Sequence, residues 1–351
     1  MEDNSKENER STKMLRIKFA DFWPGFDEEK LIFIRELKKK YKLINSEQPD
    51  LVIASIFSNT AESYGAPSIL ISGEKQINRI NFHKAFTCAK HELPNLSYFP
   101  YTCIFSSPEI YEKRLRNKPS KFACFIVSNG NHGDNVKLRE KLFLELQARG
   151  LSIDSCGNFR RNKEEIAPSA SLEYDGLFID PHWLSQYKFN ICCENNLHPG
   201  YLTEKSIQCL LAGSIPICLT HKSNMEILNP KAGIYGHNED DIPQIIDRVL
   251  NMSDSEYEEM RAQPPFLVDM KQLAMDFQQS FMEEVDKIAA NLVEKSISNY
   301  GLFKIEGNIL DTIKRAYGDK SFSSFFFSSN IDHKIDKALN IIKRHNSSIY
   351  F

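Results

Sequence analysis

The sequence predicts an α/β protein built on open parallel sheets, and three observations carry that prediction. Short apolar runs recur along the chain, as in Ile69–Leu70–Ile71, Phe189–Cys193 and Ile215–Leu219. Each is too short for a surface helix and suits a strand buried on both faces. Between such runs lie segments with apolar residues at helical spacing; Ile207, Leu210 and Leu211 recur at i, i+3 and i+4, giving one face that can pack on a sheet. The chain is 351 residues long, enough for two α/β domains of ordinary size.

Taken in order, residues 1–14 are polar and charged and read as a disordered leader, the opposite of a signal-peptide core. Leu15–Ala20 suggests a first strand, followed by a turn at Phe22-Trp23-Pro24-Gly25. A helix is predicted from Asp27 to about Tyr41, with Leu31, Ile34 and Leu37 on one face and lysines where the helix dipole favours them. Asp50–Phe57 and Ser68–Ser72 are further strands, the second running into Gly73-Glu74. This alternation points to a parallel sheet, and the first domain is placed at 15–118. The basic segment Tyr111–Ser120, with Pro119, reads as a linker; a phosphate patch is the functional alternative.

The second domain is placed at 119–300. Phe122–Val127 reads as its first strand and leads into the loop Ser128-Asn129-Gly130-Asn131, then a helix from Val136 to Arg149. Ile153–Asn162 holds Gly157 and the pair Arg160-Arg161, whose forked guanidinium donors match phosphate. The polar stretch Lys163–Pro181 reads as a surface loop. Tyr187–Ile217 is the most informative stretch: a strand, the polar Glu194-Asn195-Asn196, the turn His198-Pro199-Gly200, a helix with Thr203 as N-cap and Gly213 as stop, then a strand. Because ligands bind beyond the carboxyl ends of strands in such sheets, Glu194, Asn195, Tyr201, Glu204 and Lys205 are expected together at a site mouth. Short helices are predicted over 242–250 and 254–260, and a long one over 267–297.

The 187–217 block resembles the donor-binding segment of the α-1,3/4-fucosyltransferase family, glycosyltransferase family 10. The matching pieces are Tyr187–Asn190, Glu194-Asn195, Gly200–Lys205 and Ile215–Ile217, in order and at the family's spacing; Cys193 stands where an aromatic is usual. Similarity in layout extends over 15–300. The resemblance implies a GT-B fold, two Rossmann-like domains with parallel sheets facing across a cleft. It also implies GDP-fucose as donor and a glycan containing N-acetylglucosamine or a related sugar as acceptor. Glu74 stands in the family's strand-Gly-Glu context as general base, although Ser72-Gly73-Glu74-Lys75 replaces the usual Thr-Gly-Glu-Asn. Ser128 and Asn129 match the family's Ser-Asn floor of the donor site, and Arg139 the arginine of the following helix, read as structural. The diphosphate-contacting arginine is Arg160 when counted from Gly157 and Arg161 when counted from Asn162; Arg160 is taken.

Transfer from a nucleotide diphosphate requires deprotonation of the attacking hydroxyl and neutralisation of the departing phosphates. Glu74 is assigned the first task, and Arg160 with Lys205 the second. Glu194, Asn195, Tyr201 and Glu204 are expected to contact nucleotide, ribose or fucose. One base without a covalent nucleophile implies inversion. The alternatives are a GT-B transferase using another sugar nucleotide, such as GDP-mannose, and an inactive glycan-binding relative.

Composition narrows the remaining classes. A net charge of −3 without a dominant basic tract argues against nucleic acid. The eight cysteines are scattered and read as free buried thiols of a reducing compartment. No apolar run is long enough to span a membrane, so the expected location is cytoplasmic or the cytosolic face of a membrane. Asp240-Asp241 reads as a helix entry rather than a metal site, and a divalent cation is expected at most to stimulate. The tail 301–351 carries a basic amphipathic helix over 331–344, read as an oligomer or packing contact, with peripheral membrane contact as the alternative.

Overall fold

The computed structural model describes residues 13–77, 81–128, 130, 131 and 133–299, with side chains described to residue 292. Residues 1–12 of the predicted leader 1–14, Asn129 and the tail with its amphipathic helix lie outside the described residues, while Lys13 and Met14 already belong to the first strand. Eleven strands are present among them: β1 (Lys13–Ala20), β2 (Tyr41–Asn45), β3 (Leu51–Ala54), β4 (Ser68–Ser72), β5 (Lys84–Thr87), β6 (Leu96–Tyr98), β7 (Lys121–Phe125), β8 (Ile153–Ser155), β9 (Tyr187–Ile191), β10 (Ile215–Leu219) and β11 (Ile234–Gly236). The helices are α1 (Ile32–Lys40), α2 (Tyr101–Phe105), α3 (Val136–Ala148), α4 (Pro181–Leu184), α5 (Glu204–Leu211), α6 (Ile242–Asn251), α7 (Asp254–Ala262) and α8 (Met270–Asn299).

Two sheets form, one in each half, with strand orders β2-β1-β3-β4-β5-β6 and β11-β10-β9-β7-β8. Every pairing in both is parallel. This is the two-sheet GT-B arrangement. The central strands β3, β4 and β10 are buried at every position, as two-sided coverage by helices demands.

The predicted helix over 27–41 is shorter and broken. A 3-10 turn at Glu28–Lys30, capped by the Asp27 carboxylate, ends at an extended Leu31 before α1 begins, and Tyr41 already belongs to β2. The stretch Tyr111–Ser120 is docked rather than loose. Arg114 donates to the carbonyls of Gln263 (2.7 Å) and Arg261 (2.8 Å), and Leu115 N–H donates to Leu211 O at 2.7 Å. Its basic charge is thus spent in part on the exposed carbonyls at the end of α7.

Helix α8 belongs to both halves. Met270 and Ala274 pack with Leu202, Ile207 and Leu228 of the second half. Phe277, Phe281, Val285 and Ile288 enter the core of the first sheet beside Phe33 and Phe86. The segment from Phe277 on, grouped by sequence with the 119–300 domain, therefore completes the core of the first. The halves also meet along 198–202: Lys90 N–H donates to Pro199 O (2.8 Å), Tyr101 N–H to Leu202 O (3.0 Å) and Tyr98 Oη to Gly200 O (2.9 Å). Lys90 pairs with Glu226 at 2.7 Å and Lys75 with Asp134 at 2.8 Å across the same seam.

All eight cysteines are buried free thiols, in line with the sequence reading. Asp241 accepts from the backbone of His237 and Asn238 in a capping box that opens the turn before α6, so the Asp240-Asp241 pair does serve as a helix entry.

Candidate active site

In the second sheet the order reverses between β7 and β9, the position at which ligands bind beyond the strand ends in such sheets. The loops leaving these two strands are bound tightly together. Asn135 donates its amide to Glu194 O (2.9 Å) and Leu219 O (3.2 Å), and its N–H to Asn195 O (3.0 Å). Gly133 lies against Asn195 at φ +115°, where an added Cβ would sit 2.0 Å from the Asn195 carbonyl oxygen. Arg139, buried on α3, donates to Asn195 Oδ1 at 2.5 Å and fixes that side chain from below, a structural role as expected.

Glu194 is not where a ligand contact would need it. Its side chain is fully buried, accepting from Thr203 N–H at 2.8 Å and from Thr203 Oγ1 at 2.6 Å, with Lys205 Nζ 3.5 Å from Oε2. The Thr203 hydroxyl consequently makes no helix cap. The buried carboxylate holds the start of α5 in its place. Burial pushes the Glu194 pKa up to about 7, against the pull of the Lys205 charge. Lys205 donates to Thr203 Oγ1 (3.0 Å) and Glu204 Oε1 (3.3 Å). Burial disfavours its charge, but Glu204 and Glu194 outweigh that and raise its pKa, so the ammonium is held charged.

Glu74 approaches from the first half, on the turn after β4. Its N–H donates to Ser72 Oγ at 3.2 Å, and its Oε2 accepts from Tyr201 Oη at 3.2 Å. Gly73 permits this turn to press on α2, since a Cβ there would lie 2.7 Å from the Tyr101 ring. Burial raises the Glu74 pKa; the Tyr201 hydrogen bond and Lys205 pull it back, while Glu204 pushes it further up. Lys75 is turned away to Asp134, whose other oxygen accepts from Leu197 N–H at 3.0 Å. The departure at that motif position thus supplies a tie between the halves.

A cavity of about 400 Å³ lies between the halves, with Glu74 on one wall and Asn195, Tyr201, Thr203, Glu204 and Lys205 on the other. Six of the predicted site residues are thereby placed: Asn195, Tyr201, Glu204 and Lys205 line the cavity with Glu74, and Glu194 supports it from behind. The structure does not bring Ser128 or Arg160 there, and Asn129 lies outside the described residues. Ser128 is exposed beyond the end of β7. Arg160, at φ +53°, pairs with Glu140 of α3, and Arg161 donates to the carbonyls of Lys163 and Glu164. Neither arginine lines this cavity. Their loop is nevertheless clamped to the end of β7, because Gly157 packs on the Val127 backbone and Phe159 N–H donates to Val127 O at 2.8 Å.

Sequence reasoning missed the aromatic wall of the cavity: Trp23, Phe57, Tyr101, Phe105 and Phe178. Phe178 belongs to the stretch predicted as a free surface loop. That stretch is in fact docked, with Tyr174 buried and Gln208 Oε1 accepting from the Phe178 and Ile179 N–H groups. The signal available was the isolated apolar residues within polar turns. No group of three or more metal-binding side chains occurs among the described residues.

With this geometry in hand, comparison with known proteins is specific. Residues 116–261 match the model of the glycosyltransferase family 10 (fucosyltransferase) C-terminal part, and residues 17–103 that of the alpha-(1,3)-fucosyltransferase FucT N-terminal domain. The alpha-(1,3)-fucosyltransferase FucT of Helicobacter pylori is 24% identical over 286 residues, covering 68% of this chain and 57% of its own. Alpha-(1,3)-fucosyltransferase B of Drosophila melanogaster is 28% identical over 155 residues, 42% of this chain and 34% of its own. The 3-galactosyl-N-acetylglucosaminide 4-alpha-L-fucosyltransferase of Bos taurus is 31% identical over 166 residues, 46% of this chain and 40% of its own. The chain thus spans between 34% and 57% of these relatives' length. A solved alpha1,3-fucosyltransferase superposes with a TM-score of 0.59 at 20% identity, covering 80% of this chain and 93% of that one, a likeness of fold.

Proposed function

The chain belongs to glycosyltransferase family 10, and from that premise we propose that it transfers L-fucose from GDP-fucose to a hydroxyl of a glycan containing N-acetylglucosamine or a related sugar, with inversion. The observation that carries this reading is the shared cavity with Glu74 on one half and Lys205 on the other. A base and a fixed positive charge then face one another across the space where acceptor and donor must meet.

Glu74 accepts the acceptor hydroxyl proton as the oxygen attacks fucose C1; the bond from C1 to the diphosphate oxygen breaks, and GDP leaves. The raised pKa of Glu74 strengthens it as a base relative to an ordinary carboxylate. Lys205 offsets the charge growing on the diphosphate, and the free N–H groups at the start of α5 add to it. Arg160 joins them only by exchanging Glu140 for phosphate. A divalent cation enters the proposal only as a stimulant. No described helix is long and apolar enough to cross a membrane, and the buried thiols support a reducing compartment.

The test is nucleoside diphosphate release from GDP-fucose, GDP-mannose, UDP-glucose and ADP-glucose, with and without glycan acceptors. GDP release from GDP-fucose that depends on a glycan is expected. Glycan-dependent release from another donor alone would replace the donor assignment, and glycan binding without release from any donor would make the protein a binding module.

A further inference from the structure

The first sheet has a switch point of its own, between β1 and β3, and the loops leaving these two strands bring the rings of Trp23 and Phe57 to the cavity. We propose that Trp23 and Phe57, one from each flanking loop, form a platform on which an oligosaccharide acceptor stacks the apolar face of a pyranose while presenting its hydroxyl to Glu74. The inference rests on the proposed glycan transfer and assigns a substrate-recognising role to residues that reading leaves unused.

The platform is built, not incidental. The buried Asp21, held at φ +61°, accepts from Thr60 N–H (2.8 Å), Thr60 Oγ1 (2.7 Å) and Ala61 N–H (3.1 Å), locking the β1 loop to the β3 loop. Phe57 N–H donates to Asp21 O at 2.9 Å across the same junction. Trp23 opens a tight turn closed by Phe26 N–H donating to Trp23 O at 3.1 Å, with Pro24 next and Gly25 at φ +78°, where a type II turn asks for glycine. The indole packs edge to face on Phe26 (5.2 Å) and Phe57 (5.9 Å). With so much holding them, the two rings still remain 37% and 51% exposed.

Their position selects the ligand. Both rings line the cavity that holds Glu74 and Lys205, and Trp23 and Phe178 also line an adjoining cavity of about 360 Å³. A ligand seated on the rings must satisfy an apolar wall and, within one cavity, a carboxylate and an ammonium. An apolar protein segment leaves the charges unmatched. A pyranose meets both, since its axial C–H groups suit the negative face of an aromatic ring and its rim hydroxyls suit the polar wall. The adjoining cavity gives room for the saccharide to continue, which favours acceptors longer than one residue.

Two measurements decide it. The sequence has two tryptophans, and Trp183 is buried with its Nε1 donating to Glu165 at 2.6 Å, so Trp23 is the reporter at the cleft. Titrating chitobiose and N-acetyllactosamine into the protein held with GDP is expected to give a saturable change in tryptophan emission that Trp23→Phe removes. In steady-state transfer, Trp23→Ala and Phe57→Ala are expected to raise acceptor KM by about 10–100-fold, the equivalent of exposing a large apolar contact. GDP affinity by calorimetry should stay within twofold, which also verifies folding, and Trp23→Phe and Phe57→Tyr should restore most of the acceptor affinity. Unchanged acceptor KM in both alanine variants overturns the platform, as does a saccharide-induced emission change that persists in Trp23→Phe. If GDP-fucose turns over with no acceptor, the proposed reaction falls, and the emission titration with GDP alone still decides the platform.

Discussion

Glu74 and Glu194 are both lifted above the ordinary carboxylate range by burial, yet their surroundings give them opposite work. Glu74 keeps a face on the cavity and, among the described residues, takes one side-chain donor, Tyr201, so it remains open to a substrate proton. Replacing it by glutamine keeps its size but removes the basic oxygen; transfer is expected to fall about 10²–10⁴-fold while GDP affinity is retained. A near-normal rate in a donor-saturated assay would move the base elsewhere, with Glu204 the competitor. The Tyr201 bond lowers the Glu74 pKa, so Tyr201→Phe should shift the acid limb of kcat/KM towards higher pH; a limb that stays in place denies the contact any role in tuning the base. Glu194 has no such access. Its folded-state pKa of about 7 stands above the unfolded 4.5, so its contribution to stability is fully present below about pH 4.5 and lost as pH rises through about 7. Over that window the wild-type protein should lose on the order of 1–3 kcal/mol relative to Glu194→Gln. Parallel denaturant midpoints for the two proteins at every pH would contradict this.

Among the elements, those that sequence reveals are those that burial alone determines. β4 and β10 fall at the positions their apolar runs predict, because a strand covered on both faces needs such a run. The edge strands β2 and β6, read from Tyr41–Asn45 and Leu96–Tyr98, mix polar and apolar residues and carry no comparable pattern. The start of α5 was legible at Thr203, but not that its hydroxyl serves Glu194, since that partner is nine residues away and chosen by tertiary packing. Arg160 fails to reach the cavity for a like reason: Glu140 on α3 competes for its guanidinium, and no local spacing records that. Helix α8 was predicted as a long helix, and its buried phenylalanines now show what it does. Phe281 is fully buried against Phe33 and Phe86 at 4.8 and 6.2 Å, so Phe281→Ala should destabilise the protein by about 3–5 kcal/mol. A loss under 1 kcal/mol in equilibrium unfolding would mean that α8 is not part of the first core.

For the molecule as a whole, the seam between the halves decides how it unfolds. α8 contributes to both cores, and the 198–202 segment is hydrogen-bonded to the first half, so neither half can lose its packing without exposing surface of the other. One cooperative transition is therefore expected. In Trp23→Phe, the remaining Trp183 reports on the second half, while far-ultraviolet circular dichroism reports on both; their denaturant midpoints should coincide. Two separated midpoints would show that the seam is too weak to couple the halves. GDP bound to the folded chain alone adds about 2.7 kcal/mol at one hundred times its Kd, and through the seam that gain should move both signals together. Lys205 anchors the effect, because its ammonium is fixed by Glu194 and Glu204 at the start of α5. Removing a buried, hydrogen-bonded charge contact costs roughly 2–5 kcal/mol, so Lys205→Ala at the same GDP concentration should show little or none of the shift. Retention of the full GDP-induced shift by Lys205→Ala would place the diphosphate away from Lys205 and return Arg160, freed from Glu140, as its main cationic partner.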